Sequence, residues 1–372
     1  MMPADARPFL AAIADVPDDD LPRLALADFL DERGEAERAE FIRLQLALHP
    51  LPEAQKPAEW LRREKQLLAR YRTAWMIPGL RGHQIFRRGF VECLWTTAER
   101  LLAMPGHLGA YAPVRELRIV NAASAIGPLA TLPDLDRIEI LDLRNSSLGA
   151  AGRMRSFFRT AKLGRLRSLR LYMNILDSDD LLELADSPVA PQLKELDVSG
   201  NPFGVPGIEA LAAEKSFAGL ETLIARADEM PFYDCITPRA GEVLAASKTL
   251  VNLRRLDLGD HYLEDDGTAS IAGAANAAKL EFLGLAYNDV AEAGIASIVE
   301  SPRLGRLAHL ELRGNKANAV TIDRLLAWPR LPAMATIDLR ETDLDAGSLH
   351  RMMASPHAAK FLFDTPELGR AA

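Results

Sequence analysis

Cysteine is scarce in this 372-residue sequence, which contains only Cys93 and Cys235. Two cysteines are too few for a disulfide framework, and their separation does not match the spacing of a zinc site. No window approaches 18 uninterrupted apolar residues, so no segment is predicted to span a membrane. The N-terminus also lacks the apolar run of a signal peptide. We therefore expect a soluble protein of a reducing compartment, the cytoplasm.

Basic residues are not in excess, because 44 Lys and Arg face 52 Asp and Glu, for a net charge of −8. A general nucleic-acid binder or a protein of anionic membrane surfaces would carry an excess of Lys and Arg. We therefore expect neither a nucleic acid nor a membrane as partner. Aromatic residues reach only 6%, while Leu and Ala are abundant. That composition favours helices and repeats over an all-β sandwich.

Motifs of catalysis are absent from the sequence. The seven histidines are scattered, and no H-E-x-x-H, G-x-S-x-G or phosphate-binding glycine-rich loop is present. Cys235 follows Asp234, a neighbour that raises rather than lowers the pKa of a thiol. We predict no catalytic residue, no metal site and no cofactor. An enzyme stays an open alternative, because His261 and His309 both come from predicted strand ends and could face a ligand.

An internal repeat dominates the rest of the chain. The pattern L-x-x-L-x-L-x-x-N-x-L fits in nine places, with spacings of 24, 28, 27, 27, 33, 27, 27 and 27 residues. Repeats of this length predict stacked units that share one core. The nine copies start at Val114, Ile138, Leu166, Leu193, Leu220, Leu253, Leu280, Leu307 and Met334.

Each copy predicts a short strand followed by a helix. Apolar residues at pattern positions 4 and 6 give a strand with one buried face. The Asn at position 9 can satisfy backbone groups where the chain leaves the strand and turns. The helices are predicted at Ser178–Ala185, Gly207–Ala213, Gly294–Glu300, Thr321–Trp328 and Gly347–Ser355. Phe90–Trp95 is predicted as a first, capping strand, and Ala358–Phe363 as a closing segment.

This pattern and its 27 to 28 residue period resemble leucine-rich repeats of the ribonuclease-inhibitor type. The resemblance implies an α/β fold: a right-handed solenoid, or horseshoe, with a parallel β-sheet on its concave face and helices on its convex face. Ser146, Asp228, His261 and Thr342 replace the Asn in some copies, so the resemblance is to the repeat class and to no single protein.

The first 78 residues form a different, all-α module. The run from Phe9 to Leu48 resembles the bacterial repeat-companion domain, a short helical module ahead of repeats in bacterial proteins. The matching residues are Arg23, Ala27, Asp28, Leu30, Glu32, Arg33, Gly34, Arg38, Glu40, Phe41, Ile42, Arg43 and Gln45. The family has no established activity, so the match implies architecture only. We predict helices over Leu21–Arg33, Glu37–Leu48 and Ala58–Tyr71.

The resulting domain organisation has four parts. Residues 1–78 form the helical module, 79–113 a connecting segment with the capping strand, 114–363 about nine repeats with a C-terminal cap, and 364–372 a tail. In the helical module, Arg33, Arg38 and Arg43 lie among many acidic residues. Internal ion pairs between short helices explain this mixed charge better than a docking surface does.

Pattern positions 5 and 7 point away from the core, because side chains alternate along a strand. Neighbouring strands lie about 4.8 Å apart, so these positions form two columns of charged groups. The groups could pair with one another, Asp142 with Arg144 or Arg170 and Glu311 with Arg313 or Arg340, or they could contact a partner. Candidate partner-binding residues on this concave face are Asp142, Arg144, Arg170, Tyr172, Asp197, Arg226, Asp257, Tyr287, Glu311, Arg313, Asp338 and Arg340.

One repeat is about six residues longer than the others, and the extra residues lie in Asp228–Arg239. Insertions in repeat proteins map to loops, often at the binding face. Phe232 and Tyr233 in this loop are therefore further candidates for contact with a partner. The alternative is that both rings pack back onto the edge of the solenoid.

Taken together, these patterns predict a non-enzymatic scaffold that binds a protein or peptide on the concave face. Charge complementarity and a few aromatic and arginine contacts would give specificity. The main alternative is a regulator, either an inhibitor or an activator, of a partner enzyme such as a hydrolase or GTPase. The sequence does not predict an oligomeric state.

Overall fold

The computed structural model describes residues 4–104, 106, 108–149, 152–227 and 236–364. The chain divides into two compact units. Unit 1 comprises residues 1–146 and 160–166, and unit 2 comprises residues 147–159 and 167–372. Both combine helices with strands.

Unit 1 opens with four helices and continues with strands. Its helices are α1 (Arg7–Asp15), α2 (Leu21–Glu32), α3 (Ala36–Leu48), α4 (Ala58–Trp75), α5 (Ala98–Leu102) and α6 (Ile126–Ala130). Its strands are β1 (His83–Arg87), β2 (Phe90–Thr97), β3 (Glu116–Val120) and β4 (Ile140–Asp142). The predicted N-terminal helices are confirmed, although α4 is one turn longer than the sequence pattern indicated.

The core of the helical part comes from the apolar stripes of α1, α2 and α3. Leu10, Ile13, Leu26 and Ile42 are fully buried there and pack with Phe90 of β2. Charged residues of α2 and α3 pair on the outside, as the sequence predicted for two of the three arginines: Arg43 contacts Asp28 and Asp31, and Arg33 contacts Asp5. Arg38 departs from that prediction, because it is buried and its Nη1 has no partner among the described residues.

The predicted capping strand is not the first strand of unit 1. β1 precedes it and pairs with β2 in antiparallel fashion, from His83 opposite Trp95 to Arg87 opposite Phe90. β2, β3 and β4 then pair in parallel and in chain order. The repeat pattern does not reveal β1, because this strand belongs to no repeat and pairs antiparallel with β2.

Unit 2 is an α/β solenoid in which each strand is followed by a helix. The strands are β5 (Ser168–Arg170), β6 (Glu195–Asp197), β7 (Thr222–Ile224), β8 (Arg255–Asp257), β9 (Phe282–Gly284), β10 (His309–Glu311), β11 (Thr336–Asp338) and β12 (Phe361–Leu362). The helices are α7 (Arg153–Thr160), α8 (Ser178–Ala185), α9 (Gly204–Ala213), α10 (Pro238–Ala246), α11 (Glu264–Gly273), α12 (Glu292–Val299), α13 (Ala319–Ala327) and α14 (Ala346–Ala354).

The strands of unit 2 pair in parallel and in chain order, with each pattern position opposite the same position of the next copy. Position 4 is a Leu or Ile in every strand from β5 to β11 and is buried in all of them. One strand with one helix cannot bury this row alone, so the copies stack. The fold class predicted from the repeat is therefore confirmed.

Where position 9 is Asn, it links its copy to the one before it. Asn201 accepts the backbone N–H groups of Asn174 and Leu176 at 2.7 and 3.1 Å, and its amide donates to the carbonyl of Leu171 at 2.9 Å. Asn201 is only 4% exposed, so these bonds satisfy backbone groups that water does not reach. The predicted role of the Asn is confirmed.

His261 takes the place of this Asn in the copy after the insertion. Its Nε2 lies 2.7 Å from the carbonyl of Ala225, the same pattern position that Asn201 binds in its neighbour, and its Nδ1 lies 3.1 Å from the Ile236 nitrogen. One ring nitrogen donates and the other accepts, so the imidazole is neutral. Burial lowers its pKa from 6.5 to about 4. The suggestion that His261 faces a ligand is wrong, because it is 3% exposed and fully engaged by the backbone.

Position 8, directly after the strand, has a left-handed backbone in eight of the nine copies. Only glycine adopts this conformation without a steric cost, and Asn and Asp tolerate it best of the others. The turn therefore directs position 8 back over the sheet edge. The residues are Asn121, Asn145, Met173, Gly200, Asp260, Tyr287, Gly314 and Glu341.

Candidate functional site on the open sheet face

The open sheet face is the side of the unit 2 strands opposite the leucine core. It carries pattern positions 3, 5 and 7, because successive side chains of a strand point to opposite faces. Between β7 and β10 these positions hold a connected group that we name the central patch, defined as Arg226, Arg255, Asp257, Phe282 and Glu311.

Arg226 contacts more carboxylates than any other residue of the central patch. Its guanidinium lies 3.2 Å from Asp257 and 2.7 Å from Asp260, and 3.9 Å from Glu311. It reaches that far because Gly259 lies beneath it, where a Cβ would stand 2.6 Å from the guanidinium carbon. A glycine at position 7 therefore lets one arginine contact three carboxylates, Asp257 and Asp260 of one copy and Glu311 of another.

Gly284 has the same effect on Asp257. A Cβ on Gly284 would lie 2.6 Å from Asp257 Oδ1, so the carboxylate occupies space that any other residue would fill. Asp257 is 3% exposed and also accepts from Arg255 at 3.0 Å. Two arginines thus hold a buried carboxylate, which compensates for the cost of removing its charge from water.

An aromatic ring completes the central patch. Phe282 stands opposite Arg255 on β8 and His309 on β10. The Arg255 guanidinium carbon lies 3.5 Å from the centre of the Phe282 ring, a cation–π contact. His309 is exposed, and its Nδ1 lies 2.8 Å from the Thr336 hydroxyl. The ring is half-buried, so part of its apolar surface faces outward.

Glu311 is the least neutralised carboxylate of the central patch. The predicted pairing with Arg313 or Arg340 is wrong, because Arg340 binds Asp338 at 2.5 Å and Arg313 binds Glu341. Its only ion-pair contact among the described residues is the 3.9 Å approach of Arg226. Burial, followed by the nearby Asp257, raises the pKa of Glu311. The negative charge of Glu311 is therefore only weakly compensated within the described residues.

A second group lies beside the central patch towards β11. Glu341 accepts from the Tyr287 hydroxyl and from Arg313. The Tyr287 ring lies against Gly314, where a Cβ would meet it at 2.2 Å. Three position 8 residues, Tyr287, Gly314 and Glu341, therefore build a flat aromatic and charged surface at this edge.

Other predicted site residues of unit 2 lie on the same face, nearer its beginning. Arg170 pairs with Glu195 at 3.0 Å, and Asp197 accepts the Ser199 N–H at 3.0 Å. The partly exposed Tyr172 and the exposed Met173 approach Gly200, where a Cβ would lie 3.4 Å from the tyrosine ring.

Asp142 and Arg144 belong to unit 1 and pair with each other at 2.7 Å, as one of the predicted alternatives had it. Asp142 is 3% exposed, so the arginine covers it. Phe232 and Tyr233 lie outside the described residues, as does most of the inserted loop.

Alternation along the strand identified positions 5 and 7 as columns of this face, whereas positions 3 and 8 contributed only single candidates to the sequence prediction, His309 and Tyr287. Position 3 supplies Arg255 and His309, and the alternation that identified position 5 also applies to it. Position 8 supplies Asp260 and Glu341. Its signal was the frequency of Asn, Asp and Gly there, which indicates a left-handed turn.

Two kinds of feature are absent from the described ranges. No group of three or more His, Cys, Asp and Glu side chains there is arranged to hold a metal ion. No helix in the same ranges has the length and apolar character needed to cross a membrane.

Comparisons with known proteins agree with the repeat. A family model of the leucine-rich repeat matches residues 190–212. No curated protein matches the chain. Among solved structures, an internalin (InlF) from Listeria monocytogenes aligns at 15% identity and a TM-score of 0.41, over 68% of each chain. Human 5T4 (Wnt-activated inhibitory factor 1, trophoblast glycoprotein) aligns at 21% identity and a TM-score of 0.41, over 60% of this chain and 77% of its own.

Proposed function

We propose that this protein is a non-enzymatic scaffold that binds a protein or peptide on the open sheet face. The observation that carries the proposal is the central patch. It brings two arginines, two carboxylates and a half-buried aromatic ring together on one face of four neighbouring strands. Arginine and aromatic side chains are the groups that dominate the energetics of protein interfaces.

The geometry of the patch favours recognition because its groups are held in place. Arg226 and Arg255 are each fixed by a carboxylate, and Arg255 also by a ring. A partner that meets them does not have to order long flexible side chains first, which lowers the entropic cost of association.

The partner group opposite Glu311 would be basic. The Glu311 carboxylate has Asp257 and Asp338 as acidic neighbours and one arginine at 3.9 Å. A lysine or arginine of a partner could bind the Glu311 carboxylate directly, through a charge-assisted hydrogen bond that is shorter than the 3.9 Å contact with Arg226. Specificity would then come from a positive group seated between Phe282 and Asp338.

The test compares the full-length protein with a charge-reversed variant, Glu311→Lys. Lysine at this position faces Asp257 and Asp338, so we expect the variant to fold with unchanged circular dichroism. The control is Glu242→Lys, a reversal on the helix side of unit 2. Proteins captured from the native host would be identified by mass spectrometry, expressed, and titrated against all three by calorimetry.

Binding that weakens at least tenfold in Glu311→Lys and not in Glu242→Lys supports the proposal. A partner with equal affinity for all three proteins contradicts binding at the central patch. A captured enzyme whose turnover changes on binding would favour the regulator over the scaffold.

We further propose that the repeats are of the ribonuclease-inhibitor type, because each described strand of unit 2 up to β11 is followed by an α-helix. The helical module would be a repeat-companion domain of residues 1–78, ahead of a connecting segment (79–113), the repeats (114–363) and a tail (364–372). A bacterial, cytoplasmic protein fits the companion resemblance and the low cysteine content.

Limited proteolysis tests the proposed boundary between the helical module and the connecting segment. A cut near residue 79 would support this boundary.

A further inference from the structure

A cavity of about 390 Å³ lies in unit 1. It is formed where the beginning of α3, the end of α4 and β2 meet. Its volume falls within the range of small-molecule sites, about 300–1,000 Å³. The wall combines apolar and charged groups, among them Trp75, Met76, Phe90, Glu35, Glu37 and Arg38.

Arg38 is the unusual member of this wall. It is 5% exposed, and its Nη1 is buried with no hydrogen-bond partner among the described residues. Four aromatic rings surround the guanidinium, the closest being Trp75 at 4.8 Å and Phe90 at 5.1 Å. Their faces attract a cation but accept no conventional hydrogen bond. Burial lowers the pKa of Arg38 to about 9.

A second buried arginine of the same unit shows how such a charge is ordinarily satisfied. Arg23 is 0% exposed, pairs with Glu92 at 2.5 Å and donates to the carbonyls of Pro17 and Asp19. Both arginines belong to short helices with a common core, yet only Arg23 has an anion in contact. A buried charge without a partner is costly. The Arg38 site therefore lacks the anion that Glu92 provides for Arg23.

The missing partner is an anion that enters through the cavity. A carboxylate matches the guanidinium because two parallel N–H groups can bind its two oxygens. A doubly charged phosphate would meet the carboxylates of Glu35 and Glu37 on the same wall. Glu37 accepts the Tyr71 hydroxyl at 2.8 Å, which lowers its pKa and keeps it charged. Arg7 is a second cation on the same wall, so the two arginines and the two glutamates balance, and the wall accommodates one added negative charge more easily than two. Trp75 and Met76 offer contacts to an apolar body.

We propose that the cavity binds a small organic monocarboxylate, with Arg38 as the anchor of its carboxylate. The apolar part of the ligand contacts Trp75 and Met76. In this interpretation Arg38 is kept for binding and contributes nothing to folding. The site is independent of the open sheet face.

The experiment titrates the full-length protein with benzoate and with benzamide, its neutral isostere, by saturation-transfer NMR. We expect benzoate to bind with a millimolar or lower Kd and benzamide at least tenfold more weakly. Arg38→Met keeps the length and apolar contacts of the side chain without its charge. It should lose benzoate binding at least tenfold while its melting temperature stays equal to the wild type or rises. Arg63→Met, which removes an exposed arginine of α4, should leave both unchanged.

Three results would overturn the proposal. Equal binding of benzoate and benzamide, or no binding of benzoate up to about 10 mM, would show that no carboxylate site exists. If inorganic phosphate competes with benzoate at equal concentration, the cavity is a phosphate site and not a monocarboxylate site. If Arg38→Met fails to fold, Arg38→Lys decides the question, because a folded Arg38→Lys that binds benzoate as tightly as the wild type would show that the guanidinium is not the anchor.

Discussion

His261 makes the stability of unit 2 depend on pH in a way that one substitution can remove. Its imidazole is neutral and buried in the folded protein, with a pKa lowered from 6.5 to about 4 by burial. An unfolded chain takes up the proton below about pH 6.5, whereas the folded one does not until about pH 4. Stability contributed by the neutral ring is thus complete above pH 6.5 and is lost as the pH falls towards 4.

The size of the effect follows from the two pKa values. One pKa unit corresponds to about 1.4 kcal/mol. Between pH 7 and pH 4.5 the His261 contribution should fall by about 2.5 kcal/mol. His261→Asn introduces the residue that four other copies carry at this pattern position, where Asn201 binds the equivalent carbonyl. The variant therefore keeps the hydrogen bond and has no group that titrates.

The assay is urea unfolding of wild type and His261→Asn at pH 7 and pH 4.5, with His309→Asn as the exposed control. Carboxylates titrate alike in all three proteins, so they cancel in the difference. We expect wild type to lose about 2.5 kcal/mol more than His261→Asn. Parallel pH profiles, or an NMR titration of the His261 ring near pH 6.5, would refute a neutral buried imidazole.

Three further substitutions test the structure. Glu92→Gln leaves the buried Arg23 without its anion and should lower the free energy of unfolding by about 3–5 kcal/mol in urea titrations. Asn201→Ala leaves at least two buried backbone N–H groups unpaired and should cost about 3 kcal/mol in the same titrations, with faster amide exchange at both groups. Gly314→Ala meets both a φ of +69° and the Tyr287 ring, so we expect a lower melting temperature and a shifted Tyr287 NMR signal.

The solenoid was predictable because each copy repeats the same local pattern. Leu169, Leu196 and Leu223 occupy position 4 of successive copies and are all fully buried. One misassigned residue changes little when eight other copies define the register. β1 was not predictable in this way, because it belongs to no repeat and pairs antiparallel with β2.

The candidate sites were predictable only as faces of the molecule. Alternation along the strands placed Asp257 and Glu311 on the open side, but ion pairing depends on distances that the pattern does not contain. The choice of Arg226 as partner of Asp257 follows from Gly259 beneath it. Arg38 was assigned to surface ion pairs because a helical charge pattern does not show which arginine the aromatic rings enclose.

The glycines under the central patch also determine how far its side chains project from the sheet. Side chains that stand up from a sheet form ridges, whereas Arg226 and Asp257 lie along it over Gly259 and Gly284. Ala286 adds only a methyl group at position 7 of the next copy. The sheet is therefore covered thinly over β8 and β9, with Tyr287 standing at one side. A partner at position 7 of these two copies would therefore meet Gly259 and Ala286, with Arg226 lying across the glycine, and no long side chain that belongs to either copy.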